Sequence, residues 1–318
     1  MTQLHHTGRA ALLAGALALA LSATACGSSD KQDDAKPSVE DKVKVTGDFG
    51  KKPTIEIDSP LKVSKSTSWT TVDGKGDKVG SDATTILSLT LANGRTGKTA
   101  ISTTDEGQRP LEVKLGDQVF PSLVEALVGK AADSRVVVAS SPDDAYGDTG
   151  AKQIGIKPGD SIVMVADVLS TDPTKILDGP TGAETPAPAT APKILETDGD
   201  LTGLDFKGLT KPKGFQAIQL REGTGPEIET PDRIAADYMG QVWGGKEPFN
   251  NTYGKEPARF SIGLGSVIKA WDQGLAGLKE GARVMLICPP DTAYGKSAQP
   301  GIPANSTLVF VIDVLGVG

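Results

Sequence analysis

The chain has 318 residues, 38% of them hydrophobic, and a formal net charge of −7. That length accommodates about two domains, each with a buried core. The acidic balance and the lack of clustered Lys and Arg exclude a phosphate-gripping surface, so no nucleic-acid partner is expected.

Residues 1–25 have the layout of a targeting segment. Arg9 precedes the apolar run AALLAGALALALSATA, which stops at Cys26 and is too short and too early to span a membrane in the mature chain. The layout resembles a bacterial lipoprotein signal, in which Cys26 becomes the lipidated first residue; Ala23 stands where that pattern usually has Leu. The alternative is a plain secretory signal with an incidental cysteine. The polar stretch GSSDKQDDAKPS after Cys26 suits a flexible tether over 26–44, as an anchored domain requires. The expected location is the extracytoplasmic face of a bacterial membrane, held by the lipid anchor, or outside the cell if the segment is an ordinary secretory signal.

The two histidines, His5 and His6, both fall in that segment. Ser-His-Asp and Cys-His mechanisms and His-ligated metals are therefore excluded for the mature chain. Cys288, the other cysteine, lies in the apolar run RVMLICPP and reads as a small hydrophobe on a buried strand. No disulfide, metal site or cofactor is expected.

Further along, residues 45–170 and 205–318 read as two globular halves, joined by a Pro/Thr/Ala-rich linker over 171–204. In the first half ILSLTLANG and SIVMVADVL are strands. In the second half GFQAIQLREG, RIAADYMGQVW and ARFSIGL are strands, VIKAWDQGLAGL has helical spacing at Val267, Trp271, Leu275 and Leu278, and ARVMLICP and STLVFVIDVL return to strands. Gly281 reads as the helix C-cap and turn. The halves repeat one another. Val119, Leu127, Gly129, Arg135, Val136 and PDDAYG (Pro142 to Gly147) fall opposite Val267, Leu275, Gly277, Arg283, Val284 and PDTAYG (Pro290 to Gly295) at one constant separation. SIVMVADVL from Ser161 matches TLVFVIDVL from Thr307 at a separation two residues shorter. An α+β fold accounts for each half: an antiparallel sheet whose apolar face is covered by one short helix.

Aromatic residues separate the halves. The chain has seven Phe, three Trp and four Tyr, and ten of these lie beyond residue 205. Taken singly, each is an ordinary core residue. Taken together, Tyr238-x-Gly240, Gly245-x-x-x-Phe249, VIxxW from Val267, PDxAYG, PGIP and TLVFxxDVL occur in an order that resembles the FKBP-type peptidyl-prolyl isomerases over about residues 212–318, and more weakly in the first half. The resemblance implies a curved antiparallel sheet around a short helix in each half, with an apolar pocket between them. It puts Tyr238, Phe249, Asn250, Trp271, Tyr294 and Phe310 in catalytic positions and Phe260, Val267, Ile268 and Ile302 in substrate-binding ones. Trp271 is implied as the floor, Tyr238 and Phe310 as walls, and the Ile268 amide and Tyr294 hydroxyl as donors to ligand carbonyls. Three positions depart from the family pattern: Asn250 replaces an aspartate, Ala258 a wall aromatic and Gln299 a histidine.

The implied partners are proline-containing polypeptides, with macrolides as ligands of the same pocket. The implied role is assistance to the folding of exported proteins; a non-catalytic chaperone or peptide-binding lipoprotein, or a surface scaffold, would carry the same folds. The first half has Leu123, Phe120 and Met164 opposite Trp271, Ile268 and Phe310, keeping Tyr146 alone of the polar set. It reads as a degenerate copy, folded and catalytically weak or inactive. GLG at Gly263 to Gly265 reads as a turn, since no further glycine pattern of a dinucleotide loop follows.

Overall fold

In a computed structural model of the chain, residues 37–116, 120–197 and 200–318 are described. Residues 1–25, Cys26 and most of the expected tether lie outside the described residues, as does Val119. The tether expected to run to residue 44 gives way earlier to structure, with a 3-10 turn at Glu40–Lys42 followed directly by a strand.

The final strands of the halves, IVMVADVLST and LVFVIDVLGV, place apolar residues at both parities. A sheet with one wet face alternates instead, so both faces of these sheets must be covered. The first domain comprises β1 (Val43–Thr46), β2 (Thr54–Ile57), β3 (Thr67–Val72), β4 (Thr84–Asn93), β5 (Thr99–Ser102), β6 (Leu111–Lys114), α1 (Pro121–Leu127), β7 (Arg135–Ser140) and β8 (Ile162–Thr171). The second comprises β9 (Lys193–Thr197), β10 (Asp200–Asp205), β11 (Gln216–Glu222), β12 (Asp232–Val242), β13 (Pro248–Asn251), β14 (Ala258–Ile262), α2 (Lys269–Leu275), β15 (Ala282–Cys288) and β16 (Leu308–Val317). Both main sheets are antiparallel, in the orders β3-β7-β8-β4-β5 and β11-β15-β16-β12-β13, with β6 and β14 pairing on β4 and β12 respectively. The duplication therefore extends to every strand of the sheet.

One face of each sheet packs on its helix. On the second domain Val284, Leu286, Cys288, Phe310, Ile312 and Val314 meet Trp271 and Leu275 of α2. The intervening residues Met285, Ile287, Val309 and Val311 point the other way, into a second core with Leu201 and Leu204 of β10. In the first domain Val137, Ala139, Val163 and Val165 likewise pack with Val43, Ile55 and Ile57 of the β1–β2 hairpin. The stretch expected as a linker over 171–204 thus carries structure of its own: it contains β9 and most of β10, whose antiparallel hairpin supplies the rear cover of the second sheet. Its Pro-rich composition conceals this because the hairpin is short and buries its apolar residues only against the sheet behind it. The helix C-cap also differs from expectation. Helix α2 ends at Leu275 with Ala276 as C-cap, and Gly277, at φ +82°, makes the left-handed turn; Gly281 serves the later turn into β15.

A buried ion pair fastens each hairpin. Arg135 Nε and Nη2 donate to the two carboxylate oxygens of Asp167 at 2.6 and 2.8 Å, and its remaining N–H groups reach the Gly47 and Asp48 carbonyls in the β1–β2 turn. The Gly50 amide donates to Asp167 at 2.7 Å. The counterparts Arg283 and Asp313 form the same fork at 2.6 and 2.7 Å, and Arg283 also reaches Glu196 of β9. Between the domains, Arg233 is 5% exposed and is held by Asp172 and Glu112 of the first domain, while its amide donates to Ser170.

Two predictions follow from these buried charges. Asp167→Ala strands a guanidinium that is almost wholly buried, and urea unfolding is expected to show a loss of about 3–5 kcal/mol; Asp313→Ala, which strands the more open Arg283, should cost less. The Asp232 carboxyl is pushed up to about 7, chiefly by burial, with repulsion from Glu229 and Asp133 adding to the effect and a hydrogen bond from the Glu229 amide opposing it. The native state then keeps a proton that the unfolded chain releases above its ordinary value of 3.8, so stability falls as pH rises from about 4 to about 7 and is level above. Calorimetric scans of Asp232→Asn should show a higher Tm than the parent at pH 8 and no gain at pH 4.

Candidate functional site

Strand β12 bends so that its first part pairs with β14 and its last part with β13, and this curl opens a space between the sheet and α2. The ten residues expected at the site come from separate elements: Tyr238 from β12, Phe249 and Asn250 from β13, Phe260 from β14, Val267 and Ile268 from the loop before α2, Trp271 from α2, Tyr294 and Ile302 from the β15–β16 connection, and Phe310 from β16. All ten line one hollow of about 690 Å³. Ala258 and Gln299 line it too, together with Ser266 and Pro300, which sequence reasoning missed. Their sequence cues are that Ser266 directly precedes Val267 and that Pro300 opens the quoted PGIP.

Trp271 stands at the centre and is 6% exposed. Tyr238 and Phe310 meet its ring edge-to-face at centroid distances of 5.0 and 5.2 Å, and Phe260 lies 4.8 Å away at a tilt. Phe249 in turn sits edge-on to Phe310 at 5.7 Å. These geometries suit the ring quadrupoles and fix each ring against its neighbours. The indole N–H of Trp271 is buried with no partner among the described residues. Gly240 makes the cage possible: an added Cβ would lie 2.6 Å from Phe249 Cζ and 2.8 Å from Phe310 Cε1.

Polar groups are few. Asn250 Nδ2 donates to the Tyr238 hydroxyl at 2.7 Å. A carboxylate at this position would accept the phenolic proton; the donating amide leaves that proton available to a ligand carbonyl. Burial raises the pKa of Tyr238, with Tyr294 nearby adding to the shift and the Asn250 bond opposing it, so the phenol stays a neutral donor. Tyr294 is 39% exposed at the rim. The Ile268 carbonyl accepts from the Trp271 amide at 2.9 Å, whereas no acceptor for the Ile268 amide is found among the described residues. Apart from the two neutral phenols, no titratable side chain is among the residues that line the hollow.

A model of the family described as FKBP-type peptidyl-prolyl cis-trans isomerase matches residues 74–166 and, again, residues 225–315. The chain belongs to this family. FK506-binding protein 4 of Mycosarcoma maydis is 41% identical over 106 residues, covering 33% of this chain and 28% of that protein. FkpA of Escherichia coli is 40% identical over 104 residues, covering 32% of this chain and 37% of that protein. This chain thus matches well under half the length of either relative. Among solved structures, the three FKBP domains of wheat FKBP73 align over 80% of this chain and 94% of that one at 17% identity, with a TM-score of 0.34.

The first FKBP domain holds a smaller hollow of about 380 Å³ in the corresponding place. Strand register identifies the changes. Leu91 faces Met164 as Gly240 faces Phe310, and Leu89 faces Ala166 as Tyr238 faces Ile312. An aliphatic residue thus replaces the wall tyrosine, and the fully buried Leu91 fills space that the second domain leaves for aromatic rings. Tyr146, the counterpart of Tyr294, packs edge-on to Phe120 at 5.1 Å.

Gly240→Ala tests the cage directly. The new methyl must displace Phe249 or Phe310, which is expected to cost about 1–3 kcal/mol. Near-ultraviolet circular dichroism of the aromatic bands should change while the far-ultraviolet spectrum stays that of the parent.

Proposed function

We propose that the second FKBP domain isomerises X-Pro peptide bonds in polypeptides, and that the first is folded but catalytically weak or inactive. The observation that carries this reading is the hollow itself: aromatic walls around Trp271, neutral donors at the rim and no ionised group in the lining. Rotation about the prolyl amide is opposed by a resonance barrier of about 18–20 kcal/mol. Twisting uncouples the nitrogen lone pair from the carbonyl, which becomes less polar than in the planar ground state. An apolar, water-poor cavity therefore favours the twisted amide over the planar one, and that difference in binding is the catalysis. A thousandfold acceleration requires about 4 kcal/mol of such preference. In this reading Tyr238, Tyr294 and the Ile268 amide hold the flanking carbonyls while the prolyl ring rests on Trp271. A macrolide would occupy the same hollow and compete.

The setting we infer is the extracytoplasmic face of a bacterial membrane, with the chain anchored through lipid on Cys26 and acting on exported proteins as they fold. The N-terminal sequence layout supports this. Ala258, small where the family has an aromatic wall, and the uncharged Asn250 favour a second reading, in which the hollow binds apolar segments without accelerating rotation.

Cis-trans kinetics of a proline tetrapeptide with the whole chain separate the two. Turnover well above background is expected, falling about 10- to 100-fold in Trp271→Ala. A background rate for the parent protein, with the peptide still bound, would leave the binding module as the correct description.

A further inference from the structure

A third hollow lies between those of the two domains and shares a lining residue with each. Ser266 lines the Trp271 hollow and also an intervening hollow of about 480 Å³ at the domain boundary. Leu111 lines that middle hollow and also the hollow of the first domain. Three neighbouring hollows thus share lining residues in pairs along the path from Trp271 to Phe120. Leu111, at the junction, is a large hydrophobic residue left 41% exposed.

Hydrogen bonds cross the domain boundary beside the middle hollow. Arg109 Nη1 donates to the Leu264 carbonyl at 2.7 Å, and Ser266 Oγ donates to Glu112 Oε2 at 3.0 Å. The other Glu112 oxygen pairs with the buried Arg233 at 2.8 Å. The loop that presents Val267 and Ile268 is therefore hydrogen-bonded to the first domain.

The ends differ in chemistry. The first-domain hollow is walled by Leu87, Leu89, Val113, Phe120 and Leu123, with no side-chain hydroxyl or amide among its lining residues. Its side chains offer no donor to a prolyl carbonyl, but it can bury an aliphatic or aromatic side chain, worth about 1.5–3 kcal/mol for full burial. The middle, with Arg109, Glu112 and Ser266, is polar and suits a peptide backbone.

We propose that the first FKBP domain is a second subsite for the polypeptide whose proline occupies the Trp271 hollow, taking an apolar side chain that lies along the same extended strand. This rests on the isomerase reading of the second domain. The shared walls at Ser266 and Leu111 argue for one continuous occupant, and engaging both ends raises the local concentration of the second side chain without any new contact at the proline. The substrate class is thus an unfolded segment with an apolar cluster at one side of its proline, rather than an isolated X-Pro bond.

The test uses the whole chain and two sets of 15-residue peptides with the same central Ala-Pro bond, one with Leu-rich and one with Ser/Gly flanks, beside a tetrapeptide with that bond alone. Exchange NMR should show kcat/KM about tenfold higher for Leu-rich than for Ser/Gly flanks. Leu111→Glu should shrink that preference to about twofold, whereas Leu195→Glu, at an exposed site on the rear hairpin, should leave it intact. The inference is overturned if the parent shows no preference, if the preference survives Leu111→Glu, or if Leu195→Glu abolishes it equally. A tetrapeptide turning over at background would instead defeat the isomerase reading, and fluorescence anisotropy of the labelled 15-residue peptides in the same variants would still decide the subsite.

Discussion

Covering both faces of each sheet is the constraint on which the rest of the molecule depends. A seven-residue helix cannot by itself bury a curved six-stranded surface, and strands such as β15 and β16 present apolar side chains front and back. The rear hairpins complete the burial, and the Arg135–Asp167 and Arg283–Asp313 forks lock them down. With much of the apolar surface buried behind the sheet, the front can leave space unfilled between β12 and α2. The open hollow is tolerable because the sheet that frames it is anchored elsewhere.

That arrangement explains what the sequence could reveal. The repeat and the strand pattern were legible because each is a local string whose spacing survives without knowledge of the fold, whereas the residues around Trp271 could be named only through the family resemblance that the ordered motifs carry. The hairpins were not, because β1, β2, β9 and β10 are four to six residues long and their apolar positions make sense only against Val163 or Val309. The apolar residues at both parities in SIVMVADVL and TLVFVIDVL were the available cue to a second covering layer. Nothing local marks Arg233 either: its partners Asp172 and Glu112 are distant in sequence, and its burial follows from how the domains meet. Helix α2 stopped short of its expected end because Gly277 turns the chain before Gly281 is reached.

The site is unusual for what it leaves unpaired. A buried N–H without an acceptor costs about 1–3 kcal/mol, and the Trp271 indole carries such a donor at the floor of the hollow. The Ile268 amide and the phenolic proton freed by Asn250 are further donors near the same space. Tyr238 and Ile268 line the hollow, so their donors suit a guest that brings carbonyls, whereas the indole N–H is closed off from it. The same logic separates the domains: in the first, Leu89 and Leu91 satisfy themselves by contact alone, so its hollow asks for grease and nothing else.

Gly240 and its counterpart Leu91 couple two positions on neighbouring strands. With a leucine side chain at that spot on β4, an aromatic ring in place of Met164 has nowhere to lie, and exchanging either position alone leaves a clash or a void. Rebuilding the aromatic cage in the first domain therefore takes two changes made together, neither of them neutral by itself.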